Sequence, residues 1–272
     1  MYSPPPQIVD AHAHVYRTDL AMADGRRYTP AADATPAQYE AVRRALHAGR
    51  AVLIQPSFLG TDNRYMLEVV GRDPQALRAV VVVDPGVDAA ALRGYAAQGV
   101  VGIRLNLLGQ ALPDLAAARW DGLLEFVRSA DWHVELHCEA QRLAAVVPPL
   151  LARGCRVVVD HFGRPDPALG ELDPGFRYLL ETADSRRVWV KVSAPYRVGT
   201  GPDGAEQAGR LLDAALEAFS ADFLVWGSDW PHSQHPDAPE PAGLLHALCR
   251  RVPGEAELAR ILWHTPNELF HF

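Results

Sequence analysis

Ile8-Val9-Asp10-Ala11-His12-Ala13-His14 is the stretch from which the fold can be read outward. Its first residues favour an extended chain, and in a strand alternate side chains share a face, so His12 and His14 point the same way. Imidazole is the commonest metal ligand and titrates nearest neutrality, which makes a pair at this spacing a metal or proton-handling candidate. Standing alone, the pair reads equally well as two hydrogen-bonded histidines. What recurs downstream gives it meaning.

After a loop from Arg17 to Asp33, Thr35-Pro36-Ala37-Gln38 has the form of a helix start, with a capping threonine, proline at the first helical position and glutamine three residues after the cap. The pattern predicts a helix to about His47, a stop at Gly49 and a strand from Arg50 to Gln55. The same unit then repeats. Strands are expected to begin near residues 8, 52, 79, 100, 133, 156, 188 and 223, with helical patterns between them. Continuous apolar strands alternating with helices imply a parallel sheet covered on both faces. Eight such units in 272 residues fit a (β/α)8 TIM barrel, one domain over residues 1–272, better than an open sheet. No glycine-rich dinucleotide fingerprint follows the first strand. Thr265-Pro266-Asn267-Glu268 repeats the capping-box form and predicts a short C-terminal helix.

Composition narrows the function. The chain is 49% hydrophobic and 22% charged, with a net charge of −7 and scattered basic residues, which argues against nucleic acid as a partner. Cys138, Cys155 and Cys249 are too few and too far apart for a disulfide framework or zinc-finger spacing. No basic-then-apolar leader pattern and no apolar run of the ~20 residues a membrane span needs is evident, so the expectation is a cytoplasmic protein without membrane contact.

A barrel carries its active site at the C-terminal ends of its strands. The expected strand ends are His12 and His14; Gln55 and Ser57; Arg104 and Asn106; His137 and Glu139; Asp160 and His161; Lys191 and Ser193, with Tyr196 and Arg197 beyond; and Asp229 in Gly227-Ser228-Asp229-Trp230-Pro231-His232. Any one of these has a plain structural use, such as a turn cap or a core hydrogen bond. Their gathering at one rim points to a site.

At this point the chain resembles the amidohydrolase superfamily of barrel hydrolases. Asp10-Ala-His-Ala-His14, Val159-Asp-His-Phe-Gly-Arg-Pro165, Lys191-Val-Ser-Ala-Pro-Tyr-Arg197 and Gly227-Ser-Asp-Trp-Pro-His232 are similar to the branch containing pyrone-dicarboxylate and sugar lactonases. The resemblance implies that Asp229 is the base that activates water and that His12, His14 and His161 surround the scissile carbonyl oxygen. It further implies that Arg104 and Arg197 hold a carboxylate or other polar groups of a small, anionic substrate, with Ser57 and Tyr196 nearby. Arginine's planar fork suits a carboxylate. Lys191 reads as a member of a buried ion pair, and Arg164 as either a further anion contact or a solvated loop charge.

The metal question stays open in the sequence. The pyrone lactonase of this branch works without one and lacks a histidine where His137 stands. His12, His14, His137 and Asp229 together make an N3O set that suits one divalent ion, zinc best. Without an ion, His137 becomes a hydrogen-bonding residue. The expected reaction is opening of a carboxylated or polyhydroxylated lactone. The alternatives are a metal-dependent decarboxylase on the same architecture and a barrel that binds an anion without turnover. The loops Arg17 to Asp33, Leu107 to Ala118 and Val198 to Asp203 are expected to shape the pocket, the last as a mobile lid.

Overall fold

The computed structural model of the chain describes residues 7–252 and 254–272. Eight parallel strands form one sheet in sequence order: β1 (Ile8–Ala13), β2 (Ala48–Ile54), β3 (Leu77–Val81), β4 (Val100–Asn106), β5 (His133–His137), β6 (Arg156–Val159), β7 (Val188–Lys191) and β8 (Leu224–Val225). The last strand returns to the first. Ala11 N–H donates to Trp226 O at 3.0 Å, Asp229 N–H to His12 O at 2.8 Å and His14 N–H to Trp230 O at 2.9 Å, so the sheet closes as a TIM barrel. Closure demands a bare backbone at Gly227. A Cβ there would lie 2.6 Å from the Cβ and backbone nitrogen of His12. Gly227→Ala is therefore expected to cost about 1–3 kcal/mol of stability, by overpacking, in a urea melt.

Eight helices cover the outside: α1 (Pro36–Leu46), α2 (Arg64–Arg72), α3 (Ala89–Ala97), α4 (Asp121–Ser129), α5 (Leu143–Ala152), α6 (Pro174–Glu181), α7 (Gly201–Phe219) and α8 (Pro241–Arg251). Local signals start several of them. Thr35 caps α1 with a full capping box, and the Asp88 side chain accepts from Ala91 N–H at 2.8 Å to begin α3. The helices pack apolar faces such as Leu123, Leu124 and Val127 against the outward strand residues. At the N-terminal end of the barrel, Phe270 packs edge-on against His133 with ring centroids 5.4 Å apart.

Three expectations fail at helix ends. His47, not Gly49, ends α1 by taking a left-handed conformation (φ 55°), and Gly49 lies inside β2. Residues 201–203 of the expected lid form the first turn of α7. Thr265 is no cap: α9 (Glu255–Ala259) runs through a π turn at Arg260–His264 straight into α10 (Thr265–Phe270). The hydroxyl of Thr265 donates to Ala221 O at 2.9 Å instead. Among the described residues no helix is long and apolar enough to cross a membrane.

Candidate active site

Asp229 stands at the centre of the C-terminal rim, 1% exposed and in a left-handed backbone conformation with φ 55°. Aspartate tolerates that conformation better than most residues, and the turn after β8 uses it to aim the carboxylate across the barrel mouth. Oδ2 is taken: it accepts from Tyr196 Oη at 2.6 Å and from Arg197 Nε at 2.8 Å. Oδ1 is left open. It faces the Nε2 atoms of His12, His14 and His161 at 3.6, 3.8 and 3.7 Å. Burial favours the protonated acid, but Arg197 and then the three imidazoles outweigh it and hold Asp229 well below the usual carboxylate range.

Beneath this carboxylate lies a buried ion network that the strand alternation assembles. Lys191 donates to Glu135 Oε2 at 2.5 Å and to His12 Nδ1 at 3.0 Å, and lies 3.4 Å from Asp160 Oδ1. Arg104 donates to Asp160 Oδ2 at 2.8 Å and approaches Glu135 Oε1 at 3.3 Å. Burial works against the ionised form of Asp160, yet Lys191, His12 and Arg104 hold its acid well below the usual range.

These contacts fix the imidazole protons. Because Lys191 donates to His12 Nδ1, the proton of a neutral His12 sits on Nε2. His14 is the reverse: its Nδ1–H meets Ile54 O at 2.7 Å, leaving the Nε2 lone pair to accept from His12 Nε2 at 3.2 Å. His161 Nδ1 meets the Ser193 hydroxyl at 2.9 Å. When that hydroxyl donates, His161 Nε2 carries the proton that points toward Asp229.

The rim encloses a cavity of about 30 Å3 lined by His14, Arg104, His137, His161, Arg197 and Asp229, with Ser57, Asn106, Arg27 and Tyr28 around them. Of the residues expected here, His12 and Tyr196 stand behind the lining and touch it through His14 and Asp229, whereas Glu139 turns away to Arg142. Arg104 is spent on Asp160 and Glu135, and Arg197 on Asp229, while both also reach the cavity wall. His137 sits apart from the other rings. It packs edge-on against His161 at 5.4 Å, and both its buried ring nitrogens lack a hydrogen-bond partner among the described residues. Arg164 forms no ion pair among the described residues and is pulled down to about 10 by burial and by the cations Arg197 and Arg27. Sequence reading missed Glu135, although it shares a face with His137 two residues on. It also placed Arg27 and Tyr28 only within a loop, where no period marks which side chains turn inward.

Ligand atoms of His12, His14 and Asp229 lie within 4.8 Å of one another, and two imidazoles with a carboxylate suit one divalent ion. His137 belongs to neither group of this kind among the described residues. Asp229 Oδ1 accepts no hydrogen bond among the described residues, and the His14 Nε2 lone pair is released once His12 no longer carries its proton on Nε2, so the donor set fits. A metal on His12 Nε2 requires the other tautomer, with Nδ1–H turned from Lys191 toward Asp160 Oδ1, 3.3 Å away.

Burial pulls His14 down to about 4 and His161 to about 3. Both rings are neutral at pH 7, and Asp229 is ionised. The rate is therefore expected to stay level from neutrality into mild acid and to fall as pH nears about 4, read as kcat/KM against pH; an inflection at the ordinary histidine value would contradict this. Stability follows the same groups. Between the ordinary 6.5 and about 4 the unfolded chain binds protons that the folded His14 refuses, so stability is full above that window and drops as pH falls through it.

A family model described as amidohydrolase matches residues 9–272, and the chain belongs to that family of barrel enzymes. A 2-pyrone-4,6-dicarboxylate hydrolase of Comamonas testosteroni is 33% identical over 281 aligned positions, covering 98% of this chain and 90% of that protein. A crystal structure described as a 2-pyrone-4,6-dicarboxylic acid hydrolase from Pseudomonas putida is 40% identical with a TM-score of 0.91, covering 98% of each chain. Another so described, from Acinetobacter baumannii with citric acid bound, is 36% identical with a TM-score of 0.93 and covers 97% of this chain and 99% of its own.

Proposed function

We propose that this protein hydrolyses a small lactone that carries a carboxylate. The observation that carries the reading is the divided carboxylate of Asp229: one oxygen is fixed by Tyr196 and Arg197, and the other is open and ionised before three imidazoles. A water seated at Oδ1 gives up its proton as it attacks the lactone carbonyl. The oxyanion that forms meets the Nε2–H of His161 and that of His12, which His12 then shares between His14 and the oxyanion, and the ring opens as Asp229 returns the water's proton to the leaving alkoxide. His14, its lone pair toward His12, holds that ring in place. Were His12, His14 and Asp229 to hold an ion, zinc would suit them and would polarise the carbonyl.

Arg197 lies beside the reacting carboxylate, Arg27 lines the cavity, and Arg164 is near enough to feel both, and neither Arg27 nor Arg164 forms an ion pair among the described residues, an arrangement that favours an anionic substrate. That favours the carboxylated over the polyhydroxylated lactone. It is also what the named relatives and the citrate-bound structure suggest by analogy. The decarboxylase alternative shares the His12, His14 and Asp229 set, but the segment Lys191 to Arg197, which supplies both partners of Asp229 and the donor to His12, favours the lactonase. Cys138 and Cys155 are buried thiols in no disulfide among the described residues, which supports a cytoplasmic location.

The test is a panel of lactones, 2-pyrone-4,6-dicarboxylate and fuconolactone among them, assayed with elemental analysis of the same preparation. A carboxylated lactone should be opened with the higher kcat/KM. Turnover of none of them would refute the reading.

A further inference from the structure

The catalytic cavity as it stands is too small for a lactone ring. Its 30 Å3 holds a water or two, whereas ligand pockets run to roughly 300–1,000 Å3. Beside it lies a second cavity of about 550 Å3, between the loop after β7 and the loop after β8. Two residues form the partition. Tyr196 puts its hydroxyl on Asp229 and its ring in the second cavity's wall; Gln234 lines both cavities.

The second cavity has a chemistry unlike the first. Pro195, Ala205, Ala238 and Pro239 give it an apolar wall, and the His235 ring packs on Tyr196 at 5.0 Å. Burial and the nearby Arg197 pull His235 down to about 4, so that ring is neutral at pH 7. Among the described residues that line it, Asp237 is the one carboxylate and there is no arginine or lysine. One wall is built to close tolerance: a Cβ on Gly204 would lie 2.3 Å from the Gly199 carbonyl carbon, so the two glycine backbones touch. The partition is looser. Gln234 is exposed, has φ 68°, and its side chain makes no hydrogen bond among the described residues.

We propose that this second cavity is a substrate subsite for a neutral apolar substituent, alkyl or aryl, on the lactone ring, joined to the catalytic cavity when the Gln234 side chain swings aside. The inference rests on the lactonase reading and narrows it. The arginines hold the anionic end of the substrate at the barrel mouth, and the apolar end extends past Tyr196. A dianion with charge at both ends would meet Asp237 and no cation in the second cavity.

The test uses the full chain with 2-pyrone-6-carboxylate and its phenyl derivatives, one for each open ring carbon. At least one derivative is expected to exceed the parent in kcat/KM by about tenfold or more, the discrimination a well-filled apolar pocket supplies. Ala238→Trp, which fills the cavity, should bring that ratio down to about one or below. The ratio is read within one preparation, so a partly destabilised variant still decides. If the parent is opened and no derivative exceeds it, the subsite is wrong and the lactonase reading stands. A ratio that survives Ala238→Trp also overturns the subsite. Turnover of neither parent nor derivative overturns the subsite, and overturns the lactonase reading as well when the lactone panel is also left unopened.

Discussion

Asp229→Asn is expected to lower kcat on a hydrolysed lactone by about 10²–10⁴-fold, the contribution a positioned general base makes. Asparagine keeps the size of the side chain, and its amide oxygen can still accept from Tyr196 or Arg197. What it loses is the ionised Oδ1 that faces His12, His14 and His161 at 3.6–3.8 Å, the one oxygen of the pair with no hydrogen bond of its own. No other carboxylate reaches that place, since Asp160 and Glu135 are held by Lys191 and Arg104 below. The effect should fall mainly on kcat, because substrate binding is assigned to the arginines. Steady-state kinetics beside a thermal melt would check it, and a variant that keeps its fold and loses less than about tenfold would contradict the assignment.

Lys191→Met is the second large change, and it acts on two quantities at once. Lys191 is fully buried, within 3.4 Å of both Glu135 and Asp160, and donates to His12. Removing it leaves two buried carboxylates to share Arg104, and breaking a buried pair in this way costs about 3–5 kcal/mol, which a urea melt would show as a lower midpoint. His12 also loses the donor that places its proton on Nε2. The ring is then free to turn Nδ1–H to Asp160, and the site loses an oxyanion donor, worth about 10²–10³ in kcat. Nitrogen chemical shifts of His12 separate this from mere destabilisation. The protein should show the Nε2–H tautomer and the variant the Nδ1–H tautomer, and an unchanged tautomer would overturn the positioning role.

The rim was legible in the sequence because the barrel rule turns strand ends into neighbours. His12, His14, His161, Arg197 and Asp229 needed only eight correctly placed strands to meet. Their proton arrangement was not legible. It depends on Glu135 and Lys191 reaching each other and His12 across the barrel, a contact between strands far apart in sequence that no local pattern encodes. Helix ends misled for a related reason. The pattern at Thr265 to Glu268 is a sound local start signal, but the preceding residues are already helical, so Thr265 has no orphan amides to cap. The segment Val198 to Asp203 looked mobile from its glycines, whereas Gly199 and Gly204 use the missing side chains to pack against each other.

The central claim is that Asp229 delivers water to a lactone carbonyl, and the most direct measurement is turnover of 2-pyrone-6-carboxylate in oxygen-18 water, followed by mass spectrometry. The account predicts a ring-opened product that keeps every carbon and carries one labelled oxygen in the new carboxylate. Release of carbon dioxide with an unlabelled ring product would contradict it.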